Sequence, residues 1–321
     1  MGENEVKKIA TREAYGNALV EIGAKDPRVV ALDADLAGAT KSGYFKKAFP
    51  DRFYNCGIAE QNMIGVAAGL ASCGKIPFAS SFAMFATGRA YEQIRNSVAY
   101  PRLNVKICAS HAGVSVGEDG ATHQCIEDIS LMRGIPGMVV LNPSDYTQAK
   151  AAVYAAYEYD GPVYIRFGRL AVPVIYGESE RTFEIGKAVV LSRGKDVNVI
   201  STGMMLTNVL AAQKALKEQG IDAGVIDMPS IKPIDKAELC AAAELSGALV
   251  TVEEHNVIGG LGSAVCEAVC EEIPVPVVRV GVLDTFGRSG NGAELIDIFG
   301  MGVCDIVAAA KRAIEIKNKK R

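Results

Sequence analysis

The sequence of 321 residues contains no tryptophan and only three histidines, and its formal net charge is −3. A charge so close to neutrality argues against nucleic acid or an anionic membrane as the main partner. No apolar stretch reaches the roughly 20 residues that a membrane-spanning helix needs, and residues 1–8 lack the apolar core of a signal peptide. We therefore expect a cytoplasmic protein that binds neither nucleic acid nor membrane.

The eight cysteines are scattered along the chain. Cys266 and Cys270 lie four residues apart on an expected helix, but no second pair completes a set of metal ligands. We interpret the cysteines as reduced thiols, and we predict no metal ligand in this chain.

Short apolar runs rich in β-branched residues alternate with helical patterns along the chain. Such alternation predicts an α/β fold with mostly parallel sheets covered by helices on both faces, and the length suggests two domains. The pattern is interrupted near 170–185 by Pro173, Gly177 and a charged stretch. We predict domains at 1–175 and 187–321, joined by a linker at 176–186.

Helices are expected at 60–73, 85–100 and 145–159 in the first domain, the last with Ser144 as its N-cap. The helix at 60–73 is rich in glycine and alanine, which lets another helix approach closely. Both packing inside the domain and contact with another subunit agree with this composition. In the second domain, strands and helices are expected to alternate between residues 197 and 280.

Glu60 follows an aromatic strand and begins a helix, with apolar neighbours on both sides. A glutamate in the first turn of a helix usually only compensates the helix dipole. Phe82 and Phe85, three residues apart, could present their rings to a flat heterocycle or pack in the core.

A glycine-rich loop between His111 and His123 contains two of the three histidines. Two imidazoles and Asp119 could hydrogen-bond several hydroxyl groups of a sugar and move protons near neutral pH. The alternatives are a structural turn and a zinc site, and the zinc site lacks a third ligand. Guanidinium groups suit phosphate, but the exposed arginines that we expect at positions 12, 166 and 169 are ordinary in themselves.

Taken together, these runs resemble the transketolase family. The resemblance covers residues 10–170 well and the C-terminal domain more loosely. The runs occur in the order and spacing of the family: Asp33-Ala34-Asp35-Leu36-Ala37, Gly57 to Asn62, Ser81 to Phe85, Gly117 to Gln124, and Gly161-Pro162 with Arg169.

The resemblance implies a pyrimidine-binding domain that holds the cofactor thiamine diphosphate. Glu60 would then be the glutamate that activates the cofactor, by hydrogen-bonding its pyrimidine ring and favouring the imino tautomer. Ile58, Phe82 and Phe85 would line the pocket of that ring.

The resemblance also implies a substrate site. Asp119 and His123 would contact a donor ketose, and either His123 or a histidine of the partner chain would help remove a hydroxyl proton. The sugar phosphate would be held by Arg12, His111 and Arg169, with Arg166 beside them. The implied reaction moves a two-carbon ketol unit from a ketose phosphate such as xylulose 5-phosphate to an aldose phosphate such as ribose 5-phosphate.

The Gly-Asp-Gly run of the family's diphosphate domain does not occur in residues 1–321. We therefore expect the C-terminal subunit of a split transketolase, which self-associates through its pyrimidine domain. An N-terminal subunit would supply the diphosphate site and the ligands of Mg²⁺ or Ca²⁺, and two copies of each chain would assemble.

Two smaller departures concern the pocket walls. Ala39 stands where the family usually has a phosphate-binding serine; either Thr40 or Ser42 replaces it, or the pocket binds phosphate less tightly. Gly88 stands where an aromatic residue often lines the thiamine pocket.

Two related enzymes remain as alternatives. A deoxyxylulose-phosphate synthase shares the run at Glu60 and paired arginines like Arg166 and Arg169, but such enzymes tend to carry arginine at the position of His111. The β-subunit of a 2-oxo-acid dehydrogenase needs no arginines for a sugar phosphate. A binding protein that lost catalysis would be free to lose Glu60. We interpret His255 as a structural histidine at the end of a strand.

Overall fold

The computed structural model describes residues 7–177, here called the N-terminal half, and residues 183–319, here called the C-terminal half. Residues 1–6, part of the stretch that we judged not to be a signal peptide, lie outside the described residues. So do residues 178–182, which contain most of the charged stretch of the predicted linker. None of the described helices is both long enough and apolar enough to cross a membrane.

The N-terminal half contains most of the first sheet and its covering helices. Its elements are β1 (Lys8–Ala10), α1 (Thr11–Lys25), β2 (Val29–Asp33), α2 (Ala37–Thr40), α3 (Gly43–Ala48), β3 (Phe53–Asn55), α4 (Glu60–Ser72), β4 (Ile76–Phe82), α5 (Tyr91–Gln93), β5 (Lys106–Ser110), α6 (Asp128–Arg133), β6 (Val139–Leu141), α7 (Tyr146–Glu158), β7 (Val163–Arg166) and β8 (Ala171–Pro173).

The C-terminal half repeats the alternation of strands and helices. Its elements are β9 (Val189–Ser192), β10 (Val197–Ser201), α8 (Leu206–Glu218), β11 (Ala223–Asp227), β12 (Ser230–Lys232), α9 (Lys236–Ser246), β13 (Leu249–Asn256), α10 (Leu261–Cys270), β14 (Val277–Val282), α11 (Gly292–Ile298) and α12 (Val303–Lys319). The sequence pattern did not predict the two helices after residue 280.

Two sheets organise the molecule. The seven-stranded sheet has the order β12-β6-β7-β5-β4-β2-β3, and the five-stranded sheet has the order β14-β13-β10-β11-β9. All neighbours pair in parallel except β12 and β9, which are antiparallel edge strands. Every residue of β2, β4 and β5 is buried, as expected for parallel strands with helices on both faces. The predicted α/β fold class is confirmed.

The strand β12 links the two halves. It belongs to the C-terminal half by sequence but pairs with β6 of the first sheet, with Ser230 opposite Leu141. Its last residue, Lys232, donates hydrogen bonds to the carbonyls of Arg133 and Ile135 at 2.8 and 2.6 Å. A three-residue edge strand leaves too short a sequence pattern to be predicted. The proposed domain limits stay a prediction.

The N-cap of α7 differs from the prediction. Asp145, not Ser144, caps the helix, because its carboxylate accepts the backbone N–H of Gln148 at 2.8 Å. The hydroxyl of Ser144 instead donates to the buried carboxylate of Asp227 at 2.6 Å. Ser144 therefore fastens the start of α7 to the C-terminal half.

The segment 85–100 is not the continuous α-helix that the pattern predicted. Phe85–Arg89 and Ile94–Ala99 form π-helical turns on either side of the short α5. The hydroxyl of Thr87 donates to the carbonyl of Ala83 at 2.7 Å, and Gly88 adds no side chain to stiffen the turn. Both features weaken the regular hydrogen-bond ladder of an α-helix.

The small residues of α4 form an exposed face. Gly65, Val66 and Gly69 are exposed, and a Cβ atom added at either glycine would meet no other atom within 4 Å. Packing inside the domain therefore does not explain these residues. Contact with another chain remains the interpretation of this face.

Arg166 is buried rather than exposed. Its Nε donates to the carboxylate of Asp128 at 2.8 Å, and its Nη2 donates to the carbonyl of Glu254 in the C-terminal half at 2.8 Å. The hydroxyl of Tyr164 also donates to Asp128, at 2.7 Å. The geometry thus makes Arg166 a link between the halves and gives no support to its predicted role in substrate binding.

We expect Arg166→Met to lower the free energy of unfolding by about 3–5 kcal/mol, because it leaves the carboxylate of Asp128 buried without its cation. Urea unfolding measures the change. Arg28→Met is the matched control, since it removes an ion pair in which the Arg28 side chain is 62% exposed, and it should cost at most ~1 kcal/mol. Equal effects of the two substitutions would contradict the structural role of Arg166.

Candidate active site

Glu60 is buried at the first turn of α4, with 3% of its surface exposed. The hydroxyl of Ser81, near the end of β4, donates to its carboxylate at 3.3 Å, and Nη1 of Arg89 lies 3.3 Å from Oε2. These contacts are long for hydrogen bonds to a carboxylate. Glu60 is thus a buried acid that keeps capacity for another hydrogen-bond partner.

Glu60 lies beside a cavity of about 340 Å³. The cavity is lined by Ala34, Asp35, Leu36, Ile58, Glu60, Phe85, Arg89, Thr122 and His123. Ile58 is 78% exposed at its rim. The rings of Phe85 and Phe82 are 5.9 Å apart at an interplanar angle of 21°. The cavity therefore combines one buried carboxyl group with an aromatic wall, as a flat heterocycle with a ring nitrogen would require.

His111 lies behind this wall. Its ring stacks on Phe82 with centroids 3.8 Å apart, its Nδ1 is 2.9 Å from Oγ of Ser110, and its Nε2 is 3.3 Å from Nη1 of Arg12. Burial lowers the pKa of His111 to about 3, with further contributions from Arg12 and Arg169. The imidazole is therefore neutral at physiological pH.

Pairing between two distant segments of the chain brings Arg12 near Arg169. β1 pairs with β8, with Ala10 opposite Ala171, and the hydroxyl of Thr11 accepts the N–H of Gly168 at 3.0 Å. Nη1 of Arg12 donates to the carbonyl of Ala39 at 2.8 Å. Its Nε is buried without a hydrogen-bond partner among the described residues. Two cations and a neutral imidazole thus lie together, as an anion site requires.

The two hydroxyls that could replace the missing serine donate to an acidic side chain. The hydroxyls of Thr40 and Ser42 both donate to Oδ2 of Asp33, at 2.7 and 2.8 Å, and both residues are buried. These hydroxyls are therefore engaged away from Arg12. At Gly88, the second position that departs from the family pattern, the methyl group of Met84 lies against the glycine.

The loop with His123 closes one side of the cavity. The ring of His123 meets that of Phe85 edge-on at 5.1 Å, and its Nδ1 is 2.9 Å from the hydroxyl of Thr122. Asp119 is exposed on the same loop, at the end of the 3₁₀ segment Val114–Asp119. Arg169 donates to Glu118 and to the carbonyl of Val116, so the loop and the anion site are connected.

Of the sequence-predicted residues, those near Glu60 and those of the anion site converge, whereas Arg166 does not. In the described ranges, no group of three or more His, Cys, Asp or Glu side chains is arranged to hold a metal ion. His255 is buried in β13, with Nδ1 2.6 Å from the carbonyl oxygen of Asn256.

Sequence reasoning missed Arg89. Its guanidinium carbon lies 4.1 Å from the centroid of Phe85, in a cation–π contact, while Nη1 reaches Glu60. The spacing of four residues from Phe85 is a helical spacing and could have indicated the contact.

Comparisons with known proteins match both halves of the chain. Residues 7–174 match the family described as "Transketolase, pyrimidine binding domain", and residues 186–306 match "Transketolase, C-terminal domain". A "Putative transketolase C-terminal section" of Methanocaldococcus jannaschii is 50% identical over 310 residues, which is 96% of each chain. The "6-deoxy-6-sulfo-D-fructose transketolase subunit SqwH" of a Clostridium species is 45% identical, over 96% of this chain and 95% of that protein.

A solved structure described as "Split gene transketolase, inactive beta4 tetramer" is 55% identical to this chain. It superposes with a TM-score of 0.90 and covers 96% of this chain and 99% of its own. Fold and sequence similarity therefore extend through both halves.

We expect the imidazole of His111 to stay neutral from about pH 8 down to about pH 5, because burial and two arginines oppose its protonation. With ¹³C-labelled histidine, NMR should resolve three imidazoles, and His111→Asn should assign one of them. An unfolded histidine binds a proton near pH 6.5, so His111 should lower the stability as pH falls from about 6.5 towards 3. A titration midpoint between about pH 6 and 7 would contradict this environment.

Proposed function

Since the chain belongs to the transketolase family, we propose that it transfers a two-carbon ketol unit from a ketose phosphate to an aldose phosphate. It would use thiamine diphosphate and would act together with a partner subunit. The observation that carries the proposal is the adjacency of two sites. A cavity with the buried acid Glu60 lies next to an anion site formed by Arg12, His111 and Arg169.

The first site fits the pyrimidine ring of the cofactor. When bound, thiamine diphosphate supplies a thiazolium ring that stabilises the electron pair left by the breaking carbon–carbon bond. Glu60 would hydrogen-bond a nitrogen of the pyrimidine ring, because its carboxyl group is buried and only loosely engaged. Phe85 would give the ring a face to stack on, and Arg89 would have to leave that face if the ring enters from its side.

The second site fits the donor sugar. His123 has Nδ1 engaged with Thr122, so Nε2 is the atom that would take a proton from a sugar hydroxyl. Arg12 and Arg169 would bind the phosphate through charge-assisted hydrogen bonds, and neutral His111 would add a polar contact without a third charge. Asp119 would contact the sugar hydroxyls from the loop.

The partner would be an N-terminal subunit that supplies the diphosphate site and the ligands of Mg²⁺ or Ca²⁺. Two relatives of similar length are described as a transketolase section and a transketolase subunit. A chain 55% identical is described as an inactive tetramer of beta chains, which supports the need for a partner. The exposed face of α4, with Gly65 and Gly69, and the exposed Ile58 at the rim offer surfaces for the partner and for self-association.

The alternatives account for fewer of the contacts. An acyl-transferring oxo-acid dehydrogenase needs no pair of arginines beside the cofactor cavity. A deoxyxylulose-phosphate synthase would use an arginine at position 111.

The eight cysteines are free thiols. The buried ones among them would stay reduced in the cytoplasm, where we propose that the enzyme acts.

Transfer should require both the partner and Glu60. With xylulose 5-phosphate, ribose 5-phosphate, thiamine diphosphate and Mg²⁺, the complex with the N-terminal subunit should release glyceraldehyde 3-phosphate, and this chain alone should not. Glu60→Gln should lower kcat roughly 10²-fold or more, because the amide cannot exchange a proton with the pyrimidine ring. A coupled enzymatic assay of the aldose phosphate measures both.

Glu92→Gln, at an exposed glutamate of α5, is the matched control and should keep wild-type turnover. Near-normal turnover of the Glu60→Gln complex would exclude Glu60 as the activating acid. A complex that is silent with sugars but releases CO₂ from pyruvate would favour the oxo-acid dehydrogenase.

Arg169→Ala should raise KM for the phosphorylated donor roughly tenfold or more, with a smaller effect on kcat, because a charge-assisted hydrogen bond contributes ~1.5–3 kcal/mol. Steady-state kinetics with the corresponding unphosphorylated ketose provides the comparison, and that KM should change little. Arg95→Ala, at an exposed arginine, is the control variant. An equal loss with both ketoses would assign Arg169 another role.

A further inference from the structure

The loop that carries Asp119 and His123 is closed at its base. The N–H of Gly113 donates to the carbonyl of Cys125 at 2.7 Å, and the side-chain amide of Gln124 donates to the carbonyl of Val114 at 2.9 Å. These two bonds fix where the loop begins and ends. They leave open what holds the segment between them.

Glu254 of β13 holds the beginning of this loop. Its carboxylate accepts the N–H of Ser115 at 2.5 Å, and only 2% of the residue is exposed. The carboxylate also lies against Gly113, so closely that a Cβ atom there would overlap it. Gly113 has φ of +79°, which favours glycine. The fit between loop and carboxylate therefore depends on this glycine.

The main chain of Glu254 is itself fixed. Its carbonyl accepts from Nη2 of Arg166, whose Nε is paired with Asp128 in α6. The N–H of the nearby Asn256 donates to the carbonyl of Ile126 at 2.9 Å. The carboxylate thus comes from a rigid strand.

A second segment of the C-terminal half contacts the far end of the loop. The amide of Gln124 donates to the carbonyl of Arg288 at 2.9 Å, and Gly287 lies directly against the Gln124 side chain. Ser289 lies against Gly120. In addition, the side chains of Val114 and Ile126 are part of the hydrophobic core formed by the second sheet.

We infer that Glu254 is a positioning residue for the donor-sugar site, through which the C-terminal half sets the position of the loop with Asp119 and His123. The inference deepens the proposed function and rests on it for its kinetic part. Glu254 itself would touch neither cofactor nor sugar.

The test compares Glu254→Leu with Glu254→Gln in the complex with the N-terminal subunit. Leucine removes the acceptor of the Ser115 N–H, whereas glutamine keeps an acceptor oxygen. We expect Glu254→Leu to lower kcat/KM for the donor roughly tenfold or more, since small displacements of contacting groups have large kinetic effects. Glu254→Gln should restore most of the activity.

Glu253→Leu is the matched control. Glu253 is the preceding residue of the same strand, is equally buried, and accepts the N–H groups of Leu261 and Gly262 at 2.6 and 2.8 Å instead of the loop. Its replacement should lower thermal stability without changing kcat/KM. If Glu254→Leu and Glu253→Leu behave alike, or if glutamine at 254 does not restore activity, the positioning role is wrong.

Hydrogen exchange gives a readout that does not depend on activity. Amides of residues 113–124 should exchange faster in Glu254→Leu than in wild type or Glu253→Leu, and unchanged exchange would overturn the inference. If the wild-type complex transfers no ketol unit, the proposed function is wrong. The exchange rates of residues 113–124 in the two variants still show whether Glu254 holds the loop. Should Glu254→Leu not fold, Glu254→Asp, whose carboxylate is one methylene shorter and would not reach the Ser115 N–H, is expected to show the same faster exchange and lower kcat/KM, and wild-type values would count against the inference.

Discussion

The candidate site depends on one geometrical constraint: the carboxyl ends of parallel strands meet at the same edge of a sheet. In the first sheet β7, β5, β4, β2 and β3 are successive neighbours and all run in parallel. Several proposed site residues lie at or beyond these ends: Arg169 after β7, His111 after β5, Phe82 and Phe85 at β4, and Ile58 and Glu60 after β3. Arg12 instead lies in the first turn of α1 and reaches the carbonyl of Ala39, which follows β2. Residues far apart in the sequence therefore converge.

The electrostatics of the anion site follow from this convergence. Two guanidinium groups near each other repel, and a protonated imidazole between them would add a third positive charge. Burial against Phe82 and the two arginines keep His111 neutral. Its partners then suggest the tautomer: Nε2 accepts from Arg12, and Nδ1–H donates to Ser110. An anion would meet two cations, of which Arg169 is already paired with the exposed Glu118, so that the anion would have to share or displace that carboxylate.

The local sequence pattern predicted the main alternation of strands and helices, but it missed β12 and the two helices after residue 280. Long-range contacts decided what the pattern left open. The alternation of apolar runs and helices was enough to predict the fold class. Short continuous apolar runs separated by helices are typical of parallel strands that are buried on both faces. Ser144 and Asp145 are both good N-caps, and only the distant Asp227, which takes the hydroxyl of Ser144, distinguishes them. Likewise, nothing near Arg166 in the sequence indicates that Asp128 and Glu254 enclose it.

The site was predictable to the extent that its residues follow strand ends. Glu60, Phe85 and His123 come together around one cavity, as expected from the family resemblance, although their roles remain predictions. The engagement of Thr40 and Ser42 with Asp33 was not predictable, since local sequence does not fix the direction of a hydroxyl one or three residues from an expected position at the end of a short helix. Side-chain direction in irregular backbone depends on tertiary contacts.

The C-terminal half explains how a glycine-rich loop can hold polar groups in place. Gly113, Gly117 and Gly120 all have positive φ, and such glycines give a segment little stiffness of its own. Successive residues of a strand point to opposite faces. Along β13, Glu253 therefore serves the N-terminus of α10, while Glu254 reaches the loop. The loop's own hydrogen bonds close its base, and the neighbouring sheet adds a rigid strand that can impose a geometry that glycines alone would not keep.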